Sequence, residues 1–189
     1  MVARRSLIAA LVMVGAMLSA CGGGDSADET VKLTGADRTA VEPGIGVNQV
    51  VEGKKLPTVD LVDVKGDTVS TKSLLGKTPL VLNYWFSSCR PCKKELPDFA
   101  AVDQEMAGKV RFVGVNGFDS AKENEDFARK LGVKYDLLLD PSGMYSKSLG
   151  LATAPVTLFV TADGTIVKQA GEIDASELRS IINTQLLTP

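Results

Sequence analysis

The stretch Trp85-Phe86-Ser87-Ser88-Cys89-Arg90-Pro91-Cys92-Lys93-Lys94-Glu95-Leu96-Pro97 decides how the rest of the chain is read. It follows Leu80-Val81-Leu82-Asn83-Tyr84, an apolar run predicted to be a buried strand, and it leads into a segment of helical character. Two cysteines two residues apart, where a strand gives way to a helix, form a dithiol that can close into a small disulfide ring. Cys89 falls at or just before the helix start. There, unpaired N–H groups and the positive end of the helix dipole favour a thiolate, and Arg90, Lys93 and Lys94 add positive charge. Cys92, one turn in, is expected to be more enclosed and more protonated. Cys89 is therefore read as the attacking thiolate and Cys92 as the resolving thiol, with exchange passing through a mixed disulfide. Glu95, three residues beyond Cys92, lies near the same helix face. It is either a proton relay with a raised pKa or a solvated helix charge paired with a lysine.

Composition narrows the chemistry further. A chain of 189 residues, 44% apolar and 23% charged, suits one globular domain of ordinary size plus extra segments. A net charge of −2 leaves no basic excess to neutralise phosphates, so nucleic acid is not an expected partner. The chain contains no histidine, which removes Ser-His and Cys-His catalysis, imidazole metal sites and haem attachment through Cys-x-x-Cys-His. Its three cysteines fall short of a four-thiolate zinc site, so neither a metal nor any other cofactor is expected.

The N-terminus has Arg4 and Arg5, an apolar run over 7–18, and the small residues Ser19 and Ala20 before Cys21, the layout of a bacterial export signal. The run is shorter than the ~20 residues of a membrane span. Leu18-Ser19-Ala20-Cys21 is similar to the lipobox of bacterial lipoproteins, in which the signal is cut before a cysteine that then carries lipid. The alternative is a cleaved secretory signal with a chance cysteine. A lipidated Cys21 leaves Cys89 and Cys92 as an even pair outside the cytoplasm. The predicted organisation is a signal over 1–20, a lipidated N-terminus and flexible tether over 21–55, and a folded domain over 56–189. Within the tether, Val47 to Val51 is the one piece that reads alternatively as an edge strand or cap.

From residue 56 the pattern is globular. A hairpin over 59–70 turns at Lys65-Gly66-Asp67, and a helical turn over 71–76 ends at Gly76. Pro79 opens the strand 80–86, and Pro91 stands in the first turn of the helix behind the dithiol. A strand over 110–116 precedes a helix capped by Ser120-Ala121-Lys122-Glu123, whose apolar face is Phe127 and Leu131. A strand over 135–139, a turn at Asp140-Pro141-Ser142-Gly143, a short helix, and a hairpin over 156–167 follow. Asp174 caps a last helix with Leu178, Ile181, Ile182 and Leu186 on its buried face, Ile173 and Leu178 forming a hydrophobic staple. Strands alternating with helices predict an α/β fold with a parallel centre, helices on both faces and an antiparallel hairpin.

Trp-Phe-x-x-Cys-x-Pro-Cys-Lys-Lys-Glu-x-Pro, together with Thr153-Ala154-Pro155-Val156-Thr157, resembles the membrane-anchored TlpA/ResA-like group of thioredoxin-fold proteins over residues 56–187. The resemblance implies a thioredoxin fold with a central mixed sheet, an N-terminal β-hairpin and a central βα insertion over 118–139. It implies that Pro155 is cis and, with Ala154, shapes a groove for an extended substrate beside a Cys89–Cys92 redox disulfide, with Trp85 either a further groove residue packed beside the site or a core tryptophan. Cytosolic thioredoxins carry a buried aspartate where this chain has Asn83, and the resemblance moves that acid role to Glu95. An aromatic common before the first cysteine is replaced by Ser88.

The resemblance further implies an extracytoplasmic thiol-disulfide oxidoreductase, anchored to the cell membrane as a lipoprotein, that reduces protein thiols such as those of apocytochrome c during cytochrome c maturation. Electrons would come from a membrane protein of the DsbD/CcdA kind. The same chemistry run in reverse gives an oxidase that installs disulfides in exported proteins. A peroxidase is disfavoured, because Leu82 and Phe86 stand where a peroxiredoxin needs a proline and a hydroxyl residue. A non-catalytic binding module of the same fold is the remaining alternative.

Overall fold

The computed structural model describes residues 46–188. The expected signal, Cys21 and most of the tether therefore lie outside the described residues. Among the described residues, no helix is long and apolar enough to cross a membrane.

Strands β1 (Asp60–Asp63) and β2 (Thr68–Ser70) form the expected hairpin. Its turn is held by Asp63, whose Oδ1 accepts the N–H groups of Lys65 and Asp67, and by Gly66 at φ 96°, a backbone region that favours glycine. A 3-10 turn, Thr71–Leu74, leads to β3 (Leu80–Tyr84), and helix α1 (Arg90–Glu105) follows. Then come β4 (Arg111–Asn116), α2 (Ala121–Lys130), β5 (Asp136–Leu139), α3 (Met144–Ser148), β6 (Val156–Val160), β7 (Ile166–Ala170) and α4 (Ala175–Ile181), the last continued by a π-helical segment, Ile182–Leu186. The seven strands among the described residues make one sheet in the order β2-β1-β5-β4-β3-β6-β7. β3, β4 and β5 run parallel, and the flanking pairs are antiparallel, giving the mixed sheet and α/β class expected.

Every residue of β3 is buried, because the strand is covered on both faces and its sequence therefore reads as a continuous apolar run. Strand alternation sends Leu80, Leu82 and Tyr84 into one core with Val113, Val115, Leu158 and Tyr145. Val81 and Trp85 join the other core, beneath α1 and α4, with Phe99, Phe112 and Leu178. Helix α1 runs through Pro97, which lacks the N–H for its intrahelical bond. Burial of Cys92, Leu96, Phe99 and Val102 on one side keeps the helix intact past that point.

Gly114 of β4 is what admits the indole of Trp85. A Cβ there would lie 2.9 Å from Trp85 Nε1 and 3.0 Å from Leu137 Cδ2, both side chains buried and unable to yield. Gly114→Ala is expected to lower stability by about 1–3 kcal/mol through overpacking, seen as a lower urea midpoint at unchanged m-value.

Residues 49–56, which take in the end of the expected tether, are bonded to the rest of the domain. Gln49 donates its N–H to Gly150 O, Gly53 to Ile166 O, and Leu56 to Gly164 O, while Lys54 O accepts from Ile166. Val51 is 2% exposed. A segment that buries an apolar side chain and satisfies its backbone against β7 belongs to the domain. It forms no ladder strand and only a single bridge, Lys55 to Thr165.

Candidate active site

Three loops meet at one end of the central strands. Tyr84, the last residue of β3, is the register partner of Val115 in β4 and of Val156, the first residue of β6. The loop to Cys89, the loop after β4 and the loop ending in Pro155 therefore emerge side by side. The Ala154–Pro155 bond is cis. Pro155 is buried, and Ala154 packs partly against the cluster that contains Cys89, Cys92 and Trp85.

Cys89 is the N-cap of the 16-residue α1, and its Sγ accepts the N–H of Cys92 at 3.2 Å. The two cysteines are joined as a disulfide with S–S 2.00 Å. Cys89 is 5% exposed and Cys92 is 0% exposed, so both are buried in the disulfide form. The first turn of α1 holds no acidic residue to oppose a thiolate. Arg90 and Lys93 are exposed and form no ion pair among the described residues. Lys94 is different: its Nζ pairs with Glu172 at 2.6 Å, so its charge is spent away from the dithiol.

Glu95 is buried at 2% exposure, which removes the alternative of a solvated helix charge. Its Oε1 accepts from Asn83 Nδ2 at 2.9 Å and its Oε2 from the Ile173 N–H at 3.4 Å. Asn83 Nδ2 also donates to Thr157 Oγ1 at 3.0 Å. Asn83, which occupies the expected acid position, is thus the residue that holds Glu95. Burial pushes the Glu95 carboxyl up from 4.5 to about 7, against the lowering effect of these two hydrogen bonds, and the nearby Glu172 charge adds to the rise. Glu95 lines a cleft of about 260 Å³ bordered by Lys94, Asp98, Glu172, Asp174 and Glu177, which gives the carboxyl a route to water.

Trp85 is not a groove residue. It is fully buried, its backbone N–H bonds to Val115 O, and its ring stacks on Phe127 of α2 with centroids 5.6 Å apart. The strand-like path of the backbone past Tyr84 turns the indole under α2, so it supports the dithiol loop from beneath. The loop after β4 was not foreseen as part of the site. Asp119 accepts the Ser87 N–H and Ser87 Oγ–H, each at 2.7 Å, as well as Asn116 Nδ2, while Phe86 meets Phe118 edge-on at 4.8 Å. The only sequence signal was polar residues at the end of a strand, which mark any loop.

A family model described as the AhpC/TSA family matches residues 52–169. Thiol-disulfide oxidoreductase ResA of Bacillus subtilis (strain 168) is 29% identical over 124 residues, spanning 65% of this chain and 69% of that protein. Sporulation thiol-disulfide oxidoreductase A of the same organism is 31% identical over 130 residues, spanning 66% and 78%. Among solved structures, MTB dsbF in its mixed oxidized and reduced forms matches with a TM-score of 0.61 at 28% identity, over 67% of this chain and 93% of that one.

Proposed function

The chain belongs to the AhpC/TSA family and is a thiol-disulfide oxidoreductase of the ResA type, and from that premise we propose that it works outside the cytoplasm as a reductant of protein disulfides. The Cys89 thiolate attacks one sulfur of the client disulfide, and the client's other sulfur leaves as a thiolate. Cys92, deprotonated with Glu95 as the relay, then attacks Cys89 Sγ and releases the second client sulfur. Two electrons pass from the dithiol to the client, and the protein is left as the Cys89–Cys92 disulfide. Ala154 and Pro155 form the wall against which the client segment lies.

The observation that carries the direction of flow is buried Glu95. A carboxyl one helical turn from Cys92, in a site of low dielectric, disfavours a second negative charge on either sulfur. Strong oxidants of this kind gain their potential from a stabilised reduced form, and Glu95 works against that stabilisation. The clients we propose are exported proteins with paired cysteines, apocytochrome c among them, and the electron supply a membrane protein of the DsbD/CcdA kind. Residues 1–21 support export and attachment through lipid on Cys21.

Two measurements test this reading. Cys92→Ala blocks resolution, so in cells it is expected to accumulate mixed disulfides on Cys89 whose partners mass spectrometry identifies as exported proteins. The wild-type potential is expected to lie well below the roughly −120 mV of strong disulfide-forming oxidants. A value near that figure overturns the reductant reading in favour of the oxidase.

A further inference from the structure

The segment that enters the domain from the tether side is fastened directly to the loop before Pro155. Asn48 Oδ1 accepts the backbone N–H groups of Ala152 at 2.7 Å and Thr153 at 2.9 Å, and its Nδ2 donates to Thr153 Oγ1 at 3.0 Å. Both polar atoms of the amide are thus committed to two consecutive residues more than a hundred positions away. The side chain is itself held in place from the following residues. Gln49 O accepts from Gln169 Nε2, Val51 N–H donates to Gln169 Oε1, and Glu52 Oε1 accepts the Gln169 N–H, each at 3.0 Å. Gly150, at φ 61°, lets the Gln49 side chain close in, since a Cβ there would meet it at 2.5 Å.

Ala152 and Thr153 immediately precede the Ala154–Pro155 bond, and Val156 beyond it pairs with Tyr84 at the root of the Cys89 loop. The backbone donors of 152 and 153 have no strand partner, so Asn48 is what orders this stretch before any client arrives.

We propose that Asn48 is a positioning residue for disulfide exchange, clasping Ala152 and Thr153 so that Ala154 and Pro155 stand ready to receive an extended, disulfide-bearing client segment. This rests on the exchange reading above and adds to it a specificity element supplied by the N-terminal segment of the domain. A loop ordered beforehand spares the client the cost of ordering it, so the effect falls on binding and not on the bond-making steps.

The test uses the full chain, a synthetic peptide with one intramolecular disulfide as substrate, and dithiothreitol as electron supply. Asn48→Ala is expected to raise KM for the peptide about tenfold with kcat within about twofold, and to speed amide hydrogen exchange at Ala152 and Thr153. Asn48→Asp keeps an acceptor for the same two N–H groups and is expected to bring KM back to within about threefold of wild type. Thr153→Val removes one of the three hydrogen bonds without touching the segment and is expected to raise KM about threefold, which keeps the idea testable if Asn48→Ala folds poorly. An unchanged KM in Asn48→Ala, a kcat loss as large as the KM gain, or no recovery with aspartate overturns the proposal. A wild-type chain that does not turn over the peptide removes the exchange reading itself, and this inference with it. Normal wild-type turnover with an unchanged variant KM removes the inference alone.

Discussion

Glu95→Gln is expected to make the protein more stable than wild type above pH 7 by up to about 3 kcal/mol, and indistinguishable from it below pH 4.5. In the folded chain the carboxyl titrates at about 7, against 4.5 when it is exposed to water. Between those values the folded state holds a proton that the unfolded state has lost, so wild-type stability falls as pH rises through that window. At 1.36 kcal/mol per pH unit the interval corresponds to about 3 kcal/mol of stability, fully present below 4.5 and lost above about 7. Glutamine cannot ionise and fits the same site, so the variant lacks this contribution to the pH dependence and its difference from wild type grows across the window. Urea midpoints at pH 5 and pH 8.5 decide the matter, and equal wild-type stability at the two values would refute a buried, proton-holding Glu95. Two further effects share this cause. Without the relay, turnover at pH 7 is expected to fall about a hundredfold and to lose its titration near 7. Without the latent negative charge, a Cys89 thiolate is more comfortable, and the reduction potential is expected to move toward more oxidising values.

The parts of this molecule written in local spacing were legible beforehand. Ser120 and Glu123 form the reciprocal capping box expected of them, Asp174 caps α4 through the Glu177 N–H, and Gly66 turns the first hairpin. The dithiol was legible for the same reason, since two cysteines on one helix turn need no partner from elsewhere. Glu95 was legible only as a position. Its burial and its pairing with Asn83 arise where β3 meets α1, twelve residues apart in sequence and in contact only through the tertiary fold. For Trp85 the choice between groove and core could not be made beforehand, because strand alternation fixes which face a residue takes, and only the covering by α2 makes that face interior. Asn48 and Asp119 escaped entirely. Each is a short polar side chain in a stretch that reads as loop, and its role is set by loops brought to one end of the central strands from 105 and 32 positions away. For the same reason the stretch Val47 to Val51 could be read only as either tether or cap. Residues 46–55 have weak patterning of their own and are ordered by the free side of β7 and by the loop at Gly150.

Cys89→Ser is expected to lower exchange turnover to below about a thousandth of wild type while leaving the fold intact. The structure separates these two outcomes. Cys89 is the N-cap of α1, a position where serine is among the preferred residues, so the hydroxyl can take over the Cys92 N–H that Sγ now accepts. Loss of activity in a chain that keeps its circular dichroism and unfolding cooperativity then reports on the sulfur alone. A serine oxygen neither ionises near neutral pH nor attacks a disulfide, so the first step has no nucleophile. Cys92 cannot substitute for it, because that side chain is 0% exposed and belongs to the buried cluster beneath α1. Cys92→Ala should behave in the opposite way, attacking once and stopping at the mixed disulfide, so that one equivalent of client thiol is released per chain. If Cys89→Ser kept turnover, or if Cys92→Ala released nothing while Cys89→Ser trapped the client, the order of attack drawn from the helix terminus would have to be reversed.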